Sequence, residues 1–327
     1  MGFDLKIHEN KGLEMIQLID DSTLTILEIR LKGALLNSWK VHNKDTELEL
    51  ILGNQSNALT DQGSIENKTK EQDLSFEMNG FRSGKMSPFS CRIENGSYYF
   101  GEQYYKFNKF YLGEHAMHGL VYDANFKIRS TKIQSDCASV ELEFEYQGND
   151  PGYPFNYQIK VEWTLYTNNQ INLKTTIQNK SGVRMPIMDG WHPYFTLGGI
   201  VDDYQLAFKS IGKIEMNSTM IPTGKILEED YFNNGKKIGS THFDDCYELN
   251  PLQNEVAIRY EGKTVTIKPK YNYPYLQIYT PDDRQSIAIE NLSGAPNCFN
   301  NKMGLQILEP HDQIYFETAF QFKSDIV

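Results

Sequence analysis

Across residues 157–178 the chain alternates apolar and polar residues with a period of two, and no other stretch limits its fold as tightly. Tyr157, Ile159, Val161, Trp163 and Leu165 fall on one face, with Gln158, Lys160, Glu162 and Thr164 on the other. The turn Thr167-Asn168-Asn169-Gln170 follows, and then Ile171, Leu173, Thr175 and Ile177 alternate with Asn172, Lys174, Thr176 and Gln178. Successive side chains on extended backbone point to opposite faces, so this is a half-buried hairpin. The same spacing predicts strands at 140–146, at 256–260 turning through Glu261-Gly262-Lys263 into 265–267, at 275–279 and at 314–322. Helical periodicity is scarce, and only short pieces such as the region after Pro296 hold a turn or two. Tyr 20 and Phe 18 add to the strand bias. Many short strands punctuated by Gly, Asn and Pro predict an all-β chain folded as a large antiparallel sandwich, since each sheet must bury its apolar face on another. Residues 54–71 are polar and read as a solvated loop. No composition break divides the chain, so a single domain over residues 1–327 is expected, a length that β-sandwiches reach.

The net charge of −11 argues against a nucleic-acid partner, which favours a basic face. No apolar run approaches the roughly 20 residues that span a bilayer, so no membrane partner is expected. The start of the chain lacks the apolar segment of a secretory signal, which leads us to expect a cytoplasmic protein. Cys91, Cys137, Cys246 and Cys298 form no C-x-x-C pair, so neither a zinc ribbon nor a disulfide framework is expected.

Five short stretches carry groups that can do chemistry. In Asp189-Gly190-Trp191-His192-Pro193-Tyr194-Phe195, proline biases the preceding residue toward extended backbone, so His192 belongs to a strand end or a loop. Its aromatic neighbours suit a sugar's C–H face while the imidazole handles oxygens, although a core histidine is the plainer reading. Arg92 stands just before an Asn95-Gly96 turn signal. His115 and His118 are three apart but bracketed by Gly113 and Gly119, which disfavours a metal site; His118-Gly119 is read as the start of a strand. Asp244 and Asp245 are adjacent, so on a strand at most one faces a site. Glu290 shares a face with Ala288, opposite Ile287 and Ile289, and is read as the end of its strand, where an apolar setting raises a carboxyl pKa. There is no G-x-S-x-G or G-x-G-x-x-G motif, and the stretch from Gly80 to Lys85 is one residue short of a P-loop.

Taken in order, Arg92 before its Asn-Gly turn, His118-Gly119, Tyr153-Pro154, Trp191-His192-Pro193-Tyr194-Phe195, Ile221-Pro222-Thr223-Gly224, Asp244-x-Cys246-Tyr247 and Glu290 resemble the aldose 1-epimerase (galactose mutarotase) family. The resemblance runs from about Gly33 to Phe322. It implies the mutarotase-like supersandwich with an open groove, few short helices, and no metal or organic cofactor. It also implies that Glu290 is the catalytic base, His192 the general acid, and His118 a second active-site histidine that holds the sugar. Arg92 and Asp244 would bind substrate, and we expect Trp191 to line the groove with them. The segment between Glu290 and Pro310 is shorter than in the galactose-specific enzymes, and the Trp-His-Pro context also differs; both bear on the sugar, not on the chemistry.

These residue types suit anomer exchange. Opening a pyranose hemiacetal removes the C1 hydroxyl proton and delivers a proton to the ring oxygen, work for a carboxylate and an imidazolium. The expected partner is a small neutral hexose such as galactose or glucose, handled by a monomer or homodimer. One rival is a mutarotase for a hexose 6-phosphate, with Arg82, Lys85 and Arg92 as its candidate cations. A second is a non-catalytic sugar binder, disfavoured by retention of both His192 and Glu290. A third is a polysaccharide lyase or hydrolase; a hydrolase would need a second catalytic carboxylate opposite Glu290, for which Asp244 is the candidate.

Overall fold

The computed structural model describes residues 2–9, 14–43, 46–53 and 81–325. Its largest layer is a nine-stranded antiparallel sheet in which Lys127–Ile133, Cys137–Tyr146, Tyr157–Tyr166, Gln170–Asn179, Gln313–Ser324, Lys263–Tyr271 and Val256–Tyr260 lie side by side in that order. The hairpin at its centre pairs Tyr157 with Asn179 and Tyr166 with Gln170, so the alternating apolar residues of both strands share one face. Asn168 and Asn169 both take positive φ, the mirror-image turn that matches the twist of a tight hairpin. Glu261 and Gly262 do the same at a second corner, so Lys263 belongs to the strand and not to the turn.

A second, eight-stranded sheet covers the inner face of the first. At its centre run Asp244–Leu249, Tyr275–Tyr279 and Ile287–Leu292, followed by the two-residue strands Gly190–Trp191 and Lys85–Met86; Tyr194–Phe195 also pairs with Ile287–Leu292. Trp191 joins the layers: its ring meets Trp163 at 4.9 Å and Phe320 at 5.1 Å, both edge-on. Such aromatic pairs contribute about 0.5–1.5 kcal/mol beyond the area they bury. A five-stranded sheet from Phe3–His8 to Thr46–Glu49 flanks the sandwich, tied to it by the Trp163 indole N–H, which donates to the Ala34 carbonyl at 2.9 Å.

Among the described residues, helix is confined to Cys298–Asn301, just after Pro296 as the sequence predicts, and to two short 3-10 turns, Glu94–Gly96 and Val201–Asp203. The polar stretch 54–71 lies outside the described residues. Two local expectations need correction. His118-Gly119 leaves the short strand His115–Met117 rather than starting one. Glu290 does not end its strand, which continues to Leu292.

Candidate active site

The site is built on three neighbouring strands of the eight-stranded sheet. Cys246, Gln277 and Glu290 stand directly opposite one another across them, so their side chains share a face. Asp244, Tyr279, Ala288 and Tyr194 form the next row on that face. Above these rows lies a cavity of about 600 Å³, of the size class that holds small-molecule ligands. Its floor includes His118, His192, Glu290, Arg92, Asp244 and Gln277, while Tyr111, Leu112, Met117, Met216 and Met220 add apolar walls.

His118 is held by its own backbone. It takes φ 54° and follows a chain in which Cys91 takes φ 52°. The His118 N–H donates to the Cys91 carbonyl at 3.0 Å, and the Cys91 N–H donates to His118 Nδ1 at 3.2 Å. An Nδ1 that accepts carries no proton, so the neutral ring presents its Nε2–H as a donor. Gly119 beside it takes φ +81°, and any Cβ there would stand 2.2 Å from the Ser87 carbonyl oxygen. Only glycine fits.

His192 is fixed on the next segment. Its N–H donates to the Gly84 carbonyl at 3.1 Å, and its carbonyl accepts from the Ser83 N–H at 2.9 Å. The ring lies parallel to Tyr194 at 4.9 Å and edge-on to His118 at 5.1 Å. His192 Nε2 is 3.4 Å from Glu290 Oε1. Both residues are buried, and His192 Nδ1 and Glu290 Oε2 have no hydrogen-bond partner among the described residues. Buried polar atoms left open in this way mark where a ligand's own polar groups belong.

Burial controls the charges here. It pushes the Glu290 carboxyl well above the usual carboxylate range, with Asp244 adding to the rise and Arg92 opposing it. It pushes His192 down to about 3, with the residue's own backbone working the other way and Arg82 adding to the fall. His118 is lowered as well, by burial, by His192 and by Arg92. Asp244 is raised mainly by burial, while Arg92, with Nη2 4.0 Å from Asp244 Oδ2, works the other way. Gln277 Nε2 donates to Asp244 Oδ1 at 2.9 Å, which leaves the buried Gln277 Oε1 free to accept. Asp245 turns away to Lys213 at 2.7 Å, so one aspartate of the pair faces the site, as alternation requires.

The family model for aldose 1-epimerase matches residues 64–321, most of the chain. The chain belongs to the aldose 1-epimerase family. It is 27% identical over 246 residues to the uncharacterized protein YihR of Escherichia coli (strain K12), covering 72% of this chain and 78% of that one. A galactose mutarotase-like protein from Clostridium acetobutylicum superposes with a TM-score of 0.81 at 19% identity, covering 99% of each chain. The galactose 1-epimerase of Lactobacillus acidophilus gives 0.79 at 18% identity over 98% of each. At these identities the two structures show a common fold.

Within this aldose 1-epimerase family member, five of the six residues singled out in the sequence converge on one cavity: Glu290, His192, His118, Arg92 and Asp244. Trp191 does not. It is buried between the sheets, and its indole N–H donates to the Ser83 carbonyl at 2.9 Å. The physical reason is alternation: His192 faces the cavity, so its neighbour on extended backbone faces the core. Tyr194, two residues on, takes the place expected of Trp191. His115, outside the cavity lining, accepts from the Asn95 N–H at its Nδ1, at 3.0 Å. Gln277 went unnoticed in the sequence, although it sits between Tyr275 and Tyr279 on the alternating face of a predicted strand.

Proposed function

We propose that this protein interconverts the α and β anomers of a free aldohexose, with Glu290 and His192 as the proton-exchanging pair. The observation that carries the reading is the 3.4 Å contact between two buried groups that line the cavity, each with one atom left without a hydrogen-bond partner among the described residues. A neutral imidazole beside a protonated carboxyl and an imidazolium beside a carboxylate hold the same number of protons. A proton can therefore pass between the two residues with no change in net charge. From the ionic form, the Glu290 carboxylate takes the C1 hydroxyl proton and the His192 imidazolium gives its proton to the ring oxygen. That step leaves the neutral pair, the form that burial favours. After rotation about C1–C2 the roles reverse and the ring closes on the other anomer. Asp244, Gln277, Arg92 and the Nε2–H of His118 hold the remaining hydroxyls, at about 1.5–3 kcal/mol for each hydrogen bond to a charged group.

One observation favours a second reading, a hexose 6-phosphate. Of its three candidate cations, Lys85 is committed to Asp189 in the core and Arg92 stands beside Asp244. Arg82 has no acidic partner among the described residues and sits over the Tyr194 ring, 5.1 Å from its centroid. A single uncommitted guanidinium in an acidic chain weighs less than the neutral hydrogen-bonding floor, so the neutral hexose is preferred. Polarimetric initial rates on α-glucose, α-galactose and glucose 6-phosphate decide between the two. We expect kcat/KM on a neutral hexose to equal or exceed that on the phosphate. A clear preference for the phosphate, lost in Arg82→Gln, would replace this reading with the second.

A further inference from the structure

The strand that delivers His192 is only two residues long, Gly190–Trp191. It pairs Gly190 with Leu292 on one side, and Gly190 with Met86 and Trp191 with Lys85 on the other. A slip of one residue would send His192 into the core and Trp191 into the cavity, because side chains alternate faces. Backbone bonds extend this pairing at each end, between His192 and Gly84 and Ser83 and between Ser293 and Asp189, but backbone bonds alone favour no one register.

A polar cluster lies at this spot inside the sandwich. Lys85 and Asp189 are 1% and 0% exposed, and Lys85 Nζ meets Asp189 Oδ2 at 2.5 Å. The Tyr273 hydroxyl donates to the same oxygen, also at 2.5 Å. The Asp189 N–H donates to Ser293 Oγ at 2.8 Å, and the Ser293 N–H donates back to the Asp189 carbonyl at 2.9 Å. Asp189 thus ties three segments together: its carboxylate holds Lys85 beside Gly84 and the Tyr273 hydroxyl, and its backbone holds Ser293 just past the strand that carries Glu290. A buried ion pair is a poor source of stability, since apolar residues of similar volume often do as well or better. What it can supply is register: in a slipped pairing Lys85 would lie in apolar surroundings without its partner, which is prohibitive.

We propose that Lys85 and Asp189 are positioning residues that pin the register of the His192 strand against the Glu290 strand. The pin acts through His192 and touches no substrate; its catalytic consequence rests on the mutarotase reading above. Removing one member strands a buried charge, so Lys85→Met alone or Asp189→Leu alone is expected to lose stability, and either can fail to fold. The double variant Lys85→Met/Asp189→Leu removes both charges and is the informative protein.

In that double variant we expect a urea midpoint at or above that of the wild type. We also expect kcat to fall at least tenfold with KM changed less than threefold. Spectra of ¹⁵N-histidine-labelled protein, with His192→Asn identifying the signals, should show one set of His192 resonances in the wild type and split or exchange-broadened ones in the double variant. A folded double variant that keeps a single sharp His192 set overturns the pin, whatever its activity. A wild type without mutarotase activity sinks the functional reading and leaves the histidine spectrum to decide on the pin.

Discussion

Glu290→Gln is expected to lower mutarotation ~10²–10⁴-fold while leaving the fold and sugar binding in place. The amide keeps the size of the carboxyl and can still hydrogen-bond a hydroxyl, but it cannot take the C1 hydroxyl proton. The substitution should also stabilise the protein, and the sign follows from the titration. The folded carboxyl is raised above its unfolded value, near 4.5, so the folded state keeps a proton that the unfolded state has released. The wild type is therefore at its best below that pH and loses stability as pH rises toward the folded value. Glutamine removes this loss. Urea titrations at pH 5 and pH 8 should show the variant gaining on the wild type at the higher pH. A Gln variant with wild-type turnover would remove Glu290 from the mechanism.

His192→Asn should be the next most severe change, at ~10²-fold or more in kcat, because in the proposed mechanism the imidazole delivers the proton to the ring oxygen. His118→Asn should cost about tenfold, the worth of one hydrogen bond at roughly 1–1.5 kcal/mol. Both histidines leave a second signature. Their folded pKa values are depressed, His192 to about 3, so the unfolded chain takes up these protons first as pH falls below 6.5. The stability the neutral His192 ring contributes is complete above pH 6.5 and lost on the way to about pH 3, at about 1.4 kcal/mol per pH unit, and His118 acts in the same direction. Replacing either ring should flatten that acid limb in denaturation curves. If pH–rate profiles made His118 the essential acid, the two histidines would exchange roles.

The strands that could be read in the sequence are those that are wet on one face. The 157–178 hairpin alternates because Gln158, Lys160 and Glu162 meet solvent more than their neighbours do, and its pairing follows the alternation residue by residue. Ile287–Leu292 is buried along its whole length, so its sequence could not show where it ends. The pairs Lys85–Met86 and Gly190–Trp191 are too short for any periodicity, and that is why the first contact of His192 with Ser83 and Gly84 was unreadable. Trp191 is a different case. Alternation already said that Trp191 and His192 cannot both face a groove, and the appeal of an aromatic beside a histidine overrode it. Gln277 carried a similar signal, a polar residue on a face otherwise made by Tyr275 and Tyr279. The apolar walls of the cavity were beyond reach, because Leu112 and Met117 end strands of one sheet, Met216 ends a strand of another and Met220 lies in a turn, so only the fold brings them together.

The central claim is that a Glu290–His192 pair exchanges anomers of a free sugar, and magnetisation transfer at anomeric equilibrium tests it most directly. In a solution of glucose or galactose, saturating the α-anomeric proton should transfer to the β-anomeric proton at a rate proportional to added wild-type protein, with no net chemical change. Glu290→Gln at the same concentration should leave the transfer near its spontaneous value. Wild-type protein that accelerates transfer in neither glucose, galactose nor glucose 6-phosphate, while folded and binding sugar, would contradict the account.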